Sequence, residues 1–190
     1  MTPRLRQLPN LITAVRIVLI APITAALWRH DWPAAIGLFG AAAASDAADG
    51  FLARRYGWQT RLGAWLDPAA DKLLLAAIFV TLAIQRSVPV WLAAAVVGRD
   101  LVIVGGALAY RARVGRLQIR PTALSKINTL LQLLFALSTV ARLAGGWPPA
   151  WFVTQLGALM FVVVAVSGLD YVLTYAGRAA RQPRRDGGVS

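Results

Sequence analysis

Asp46, Asp49, Asp67 and Asp71 are four carboxylates set at helical spacing inside two strongly apolar stretches. Asp46 and Asp49 stand three residues apart and Asp67 and Asp71 four apart, so each pair shares one face of its helix. Ionisable groups at membrane depth are costly unless they are paired or put to use. Two such helices facing each other bring all four carboxylates to one point, and like charges in low dielectric demand a counter-charge. A divalent cation supplies it. The donors are all carboxylate oxygens, which selects magnesium, calcium or manganese over zinc or copper. Magnesium commonly completes its shell with substrate phosphates, so the donor set points to a phosphorylated substrate. Gly50, beside Asp49, leaves room for a ligand or a second backbone. Arg54, one turn further on, offers a planar fork to a phosphate, and Gly63 opens the next helix where bulk would obstruct the same cleft. No Ser–His or Cys–His arrangement provides a nucleophile, which favours direct displacement by an acceptor.

The elements that carry these residues read as membrane spans. The chain has 190 residues, of which 58% are hydrophobic, and a mean hydropathy of +0.60. Its apolar runs are long, with Trp65, Trp91 and Trp151 near their ends as in interfacial belts. The expected fold is all-α: a polytopic membrane protein with six transmembrane helices in one bundle. The spans are expected near 10–28, 33–55, 63–85, 88–111, 122–143 and 149–177, each of about 20 residues, enough to cross the hydrocarbon core. Turn signals separate them, among them Asp31-Trp32-Pro33, Ser87-Val88-Pro89 and Gly145 to Pro149. The first run, from Leu11 to Trp28, reads as a span rather than a cleavable signal. One domain over 1–182 is expected, followed by a disordered tail over 183–190. Small residues crowd the second span (Gly37, Gly40, Ala41 to Ala44), which lets helices approach closely in lipid.

Charge sets orientation and excludes other classes. The formal net charge is +12, but the basic residues gather at span ends rather than in one soluble patch. Anionic lipid head groups are therefore the expected partner, and nucleic acid is not. Arg4 and Arg6, then Arg54, Arg55 and Arg61, then Arg111, Arg113, Arg116 and Arg120 lie on one side, against Arg29, Arg86 and Arg142 on the other. The bias places both termini and the aspartate-bracketed loop in the cytoplasm, as in a bacterial inner membrane or its equivalent. The absence of cysteine excludes disulfides and thiolate metal sites, and the single histidine, His30, lies in a polar turn where an exposed loop role is expected.

The string Asp46-x2-Asp49-Gly50-x2-Ala53-Arg54-x8-Gly63-x3-Asp67-x3-Asp71 resembles the signature of the CDP-alcohol phosphotransferase family at every defined position. The resemblance implies transfer of a substituted phosphate from a CDP-linked donor to an alcohol, with release of CMP. It implies that Asp46, Asp49, Asp67 and Asp71 bind two ions of Mg2+ or Mn2+, and that Asp71 is the general base. It further implies that Gly50, Arg54 and Gly63 contact the CDP moiety, and that the protein is a homodimer. The opening Leu8 to Arg16 is similar to that of lipid-making members, which makes CDP-diacylglycerol the expected donor. Asn10 and Thr13 then line the nucleotide site or cap the first span. Arg16, mid-span, calls for a partner or a polar cavity.

The acceptor is read from two further segments. Gly98-Arg99-Asp100 and Pro121-Thr122-x2-Ser125-Lys126-x-Asn128-Thr129-x2-Gln132 resemble cardiolipin synthases of the CDP-alcohol type. Phosphatidylglycerophosphate synthases have Glu and Lys where this chain has Asp100 and Asn128. Phosphatidylglycerol is thus the expected acceptor and glycerol 3-phosphate the alternative, with Arg99 and Lys126 holding the acceptor phosphate. Lys126 also fits a snorkelling role at the interface. A cation transporter built on the four acids is the remote alternative; it would be expected to show internal repeats or broken helices, and it leaves Gly50, Arg54 and Gly63 without a purpose.

Overall fold

Among the described residues the chain forms six α-helices and no strand, and proline, glycine and short polar turns make the connections after the first, third and fifth. The computed structural model describes the backbone of residues 8–56, 63–114 and 123–180, and the side chains of residues 13–45, 69–106 and 125–169. The helices are α1 (Leu8–Trp28), α2 (Trp32–Tyr56), α3 (Gly63–Ile84), α4 (Val90–Val114), α5 (Ala123–Gly145) and α6 (Ala150–Ala180). All six expected spans are present as helices, each within a few residues of the expected bounds. The expected tail over 183–190 lies outside the described residues.

The turns at one end of the bundle are tightly made. After α1, His30 takes a left-handed conformation (φ 57°) and the Asp31 amide donates to the Ala26 carbonyl at 2.9 Å. Asp31 then caps α2, its carboxylate accepting the Ala34 amide at 3.2 Å. His30 is exposed and packs edge-on against Trp32, as expected of a loop residue. The fourth helix begins at Val90 rather than 88 because the Pro89 carbonyl accepts the first bonds, from Leu92 and Ala93. Gly146 ends α5 at φ 74°, a conformation that costs a residue without Cβ nothing, and Arg142 ties the turn by donating to the Pro148 carbonyl at 3.1 Å. Trp28, Trp91, Trp147 and Trp151 are all exposed at this turn end.

Two helices are long and apolar enough to cross a membrane among the described residues, Ser125–Gly145 and Ala150–Leu169. The described apolar parts of α1 and α2 are shorter, Thr13–Trp28 and Trp32–Ser45. Large apolar side chains lie outward on most helices, among them Val18, Leu73, Leu101, Leu130, Val162 and Leu169.

The core is apolar at the turn end and polar at the other. Ile23 and Leu27 of α1, Ile78, Phe79 and Leu82 of α3, Val96 of α4, Ala136 and Val140 of α5 and Met160 of α6 are buried together. Phe79 stacks on Phe135 with centroids 5.9 Å apart, and a Cβ on Gly157 of α6 would stand 2.8 Å from the Phe135 ring. Gly157 is thus what lets α5 and α6 close on each other. Gly157→Ala must push a ring that is itself stacked, and is expected to cost about 1–3 kcal/mol as overpacking. A lowered denaturation midpoint in detergent checks it; an unchanged midpoint would show that the ring yields freely.

The small residues of α2 divide between two environments. Ala35 and Ala42 are buried, whereas Gly37, Gly40, Ala41 and Ala44 are exposed, and a Cβ on either glycine would meet nothing. Only part of the small-residue run therefore serves packing within the chain. Among the described residues α2 and α3 do not touch directly; each packs on α1 and on α5. Those two helices hold the aspartate-bearing pair in place.

Candidate active site

The same stripes that supply the apolar core turn polar toward the ends of α2 and α3 that carry the aspartates. On α1 the inner stripe runs Leu27, Ile23, Arg16, Thr13, all four buried. On α5 it runs Val140, Ala136, Gln132, Asn128; on α4 it reaches Arg99 and on α6 Ser167. Each helix keeps one inward face, as its 3.6-residue period requires, and changes the chemistry of that face halfway along.

Asp71 is the described member of the four acids. Arg16 Nη1 donates to Asp71 Oδ1 across α1 and α3, with the arginine side chain 1% exposed and the aspartate 33%. The arginine within the apolar run of α1 thus has the partner that its position demanded. The next residue, Lys72, places Nζ 2.7 Å from Asp100 Oδ1, and that same oxygen accepts Arg99 Nη1 at 2.7 Å. Arg99 Nη2 donates to Ser167 Oγ of α6, and its Nε has no partner. Two adjacent residues of α3 are therefore tied to α1 on one side and, through Asp100 and Arg99, to α4 and α6 on the other. Lys72, Asp100 and Arg99 together carry one surplus positive charge.

These contacts settle where several expected site residues stand. Thr13 is buried on the Arg16 stripe. Arg99 is buried, with two nitrogens committed inside the bundle. Lys126 is exposed on α5, off the face that buries Asn128. Asp46, Asp49, Gly50 and Arg54 belong to α2, Gly63 and Asp67 to α3 and Asn10 to α1, but their side chains lie outside the described residues. Lys72 and Ser167 were not anticipated. Lys72 carried a usable signal, being a charge inside an apolar run directly after Asp71; a lone serine in α6 carried none.

A family model for CDP-alcohol phosphatidyltransferases matches residues 6–176. The chain belongs to the CDP-alcohol phosphatidyltransferase family.

Among similar proteins of this family, the CDP-diacylglycerol–glycerol-3-phosphate 3-phosphatidyltransferase of Pseudomonas fluorescens is 36% identical over 168 residues, covering 84% of this chain and 82% of its own. A probable phosphatidylglycerophosphate synthase of Mycobacterium tuberculosis is 30% identical over 193 residues, covering 98% and 86%. The cardiolipin synthase (CMP-forming) of Rattus norvegicus is 27% identical over 180 residues, covering 86% of this chain. The chain spans 60% of the length of the rat and human cardiolipin synthases that it matches.

Among the described residues no group of three or more acids or imidazoles comes together, and Asp71 is the one carboxylate of the aspartate set whose side chain is described. Asp71 offers carboxylate oxygen at the inner side of α3 beside a cationic arginine, and the one imidazole, His30, is at the opposite end. Nothing in the described part of the site supplies a soft ligand that would favour zinc or copper.

Proposed function

We propose that this chain is a six-span membrane phosphatidyltransferase that moves the phosphatidyl group of CDP-diacylglycerol to the hydroxyl of a glycerol-bearing acceptor and releases CMP. The observation that carries the reading is the polar half-core, in which Asp71 is fixed by Arg16 one residue from the Lys72–Asp100–Arg99 network. Asp71 takes the proton of the acceptor hydroxyl, the oxygen attacks the phosphorus next to diacylglycerol, and the bond from that phosphorus to the pyrophosphate bridging oxygen breaks. CMP leaves with the bonding electrons. A base placed within reach of the hydroxyl contributes roughly 10²–10⁴-fold in such steps. Asp46, Asp49 and Asp67 are the residues that would hold Mg2+ or Mn2+, with Asp71 joining them only when it is not serving as the base, and the ions would offset charge on the pyrophosphate and the leaving CMP. The surplus positive charge around Arg99 suits an acceptor that brings a phosphate of its own, and exposed Lys126 adds to it from α5.

Phosphatidylglycerol is the acceptor we favour, making the product cardiolipin. Its support is the Arg99-Asp100 pair, together with Asn128, which is fully buried where a lysine would bury a charge. Glycerol 3-phosphate is the second reading, supported by the Pseudomonas relative, whose name specifies that acceptor and which this chain matches over most of its length. Lipid tails stay in the bilayer while head groups react at the cytoplasmic face, and the exposed apolar side chains fit that setting. The homodimer belongs to the same proposal.

Product analysis tests it. Purified protein with CDP-diacylglycerol and Mg2+ is offered phosphatidylglycerol in one reaction and glycerol 3-phosphate in another. Cardiolipin and CMP from the first are expected. Phosphatidylglycerophosphate from the second alone would move the acceptor to the second reading, and no CMP from either would overturn phosphatidyl transfer.

A further inference from the structure

Asn128 and Gln132 are two buried polar side chains at the polar end of the α5 stripe that the mechanism has not used. Asn128 is 0% exposed and Gln132 1%. Among the described residues, neither the Asn128 Nδ2 and Oδ1 nor the Gln132 Nε2 has a hydrogen-bond partner. Each such group costs about 1–3 kcal/mol when left unsatisfied, so two carboxamides one turn apart are an expensive way to fill space. A leucine and a methionine would pack there at no such cost. Their retention points to something that hydrogen-bonds them.

Their depth in the bundle says what. The α3–α4 and α5–α6 connections are short turns, and α4 and α6 run together, since Trp91 meets Phe161 and Arg99 meets Ser167 in the same order. It follows that α3 and α5 run parallel. From the Phe79–Phe135 stack, seven residues back along each helix reach Lys72 on α3 and Asn128 on α5. At about 1.5 Å per residue, Asn128 stands at the level of Asp71 and Lys72. The α6 side agrees. Gly157 meets Phe135, and ten residues further Ser167, bonded to Arg99, is level with position 125 of antiparallel α5, within a turn of Asn128. Gln132 lies one turn deeper. Both share a helix that packs on α2 and on α3, the two that carry the aspartates.

We propose that Asn128 and Gln132 seat the neutral hydroxyl-bearing part of the acceptor, its glycerol moiety, beside Asp71. The proposal rests on the phosphatidyltransferase reading and names the half of the acceptor that the cations around it do not serve. A carboxamide presents a donor and an acceptor together, the match for a hydroxyl that is both. It carries no charge, so it does not compete with Arg99, Lys72 or Lys126 for phosphate. Held from α5, the glycerol presents its terminal hydroxyl to the carboxylate on α3 while its phosphate faces the basic groups. The same moiety occurs in phosphatidylglycerol and in glycerol 3-phosphate.

The test uses Asn128→Leu and Gln132→Met, which keep volume and remove hydrogen bonding, in full-length protein with CDP-diacylglycerol and Mg2+. Each acceptor is titrated in its own arm, and the arm in which the unaltered protein turns over identifies the source of the glycerol. The acceptor KM is expected to rise at least about tenfold in each variant, with the donor KM within about twofold and the melting midpoint unchanged or raised. Acceptor KM values within twofold of the unaltered protein in both variants overturn the proposal. So does a KM rise shared equally by the donor, or a fall in midpoint with acceptor KM unchanged, which marks a packing role. An unaltered protein inactive in both arms overturns the phosphatidyltransferase reading itself, a result distinct from selective failure of the variants.

Discussion

Asp71→Asn is expected to lower CMP release by at least roughly 10²–10⁴-fold, the range a positioned base contributes, while the protein stays folded. The substitution keeps the shape of the side chain and an oxygen to accept from Arg16, so the α1–α3 contact survives in weaker form. What it removes is the ability to take a proton and the negative charge that a divalent cation would need. Loss through the base alone leaves binding of CDP-diacylglycerol intact; loss through the metal weakens donor and acceptor use together. Measuring CMP release alongside donor KM and the melting midpoint separates these. Near-normal turnover in the folded variant would remove Asp71 from the chemistry.

How far the sequence reaches is visible in these same residues. The bounds of the helices were legible because prolines, glycines and Asp31 stop and start them locally, and local chemistry is what a sequence displays. The start of α4 shifted by two residues only because Pro89 serves as its cap. That Arg16 needed a partner was also legible, since a charge mid-span has few options. That the partner is Asp71 was not. Arg16 and Asp71 are 55 residues apart, and Arg99 and Ser167 are 68 apart, so the pairings depend on how helices turn their faces to one another. Asn128 and Gln132 could be seen to share a face, but the direction of that face is a tertiary fact. The alanine and glycine run of α2 shows the same limit, since Ala35 and Ala42 turn inward and the sequence does not say which of its neighbours do. Small size permits close approach, yet Gly37 and Gly40 look outward. The convergence of Asp46, Asp49 and Asp67 lies outside the described side chains and stays with the family signature.

Arg16→Met is expected to be the most destabilising of these changes. Breaking a buried ion pair by removing one partner typically costs about 3–5 kcal/mol, because the other charge is left uncompensated. Here the low end applies, roughly 3 kcal/mol, since Arg16 is buried but Asp71 keeps a third of its surface. In a chain of this size that corresponds to a fall of about 6–12 °C in the melting midpoint. Activity should fall too, because Asp71 loses the contact that orients it. The informative measurement is the cycle with Asp71→Asn. If the arginine is there to balance the carboxylate, Arg16→Met should cost less in the Asp71→Asn background than in the unaltered chain, with a coupling of about 0.5–3 kcal/mol. Additive effects would mean that Arg16 stabilises α1 by packing its stem, independently of the acid. Arg16→Lys sharpens the distinction, because it keeps charge and most of the stem but not the planar fork. Stability restored without turnover would assign the fork to the orientation of Asp71, and recovery of both would leave charge alone as what the site requires of α1.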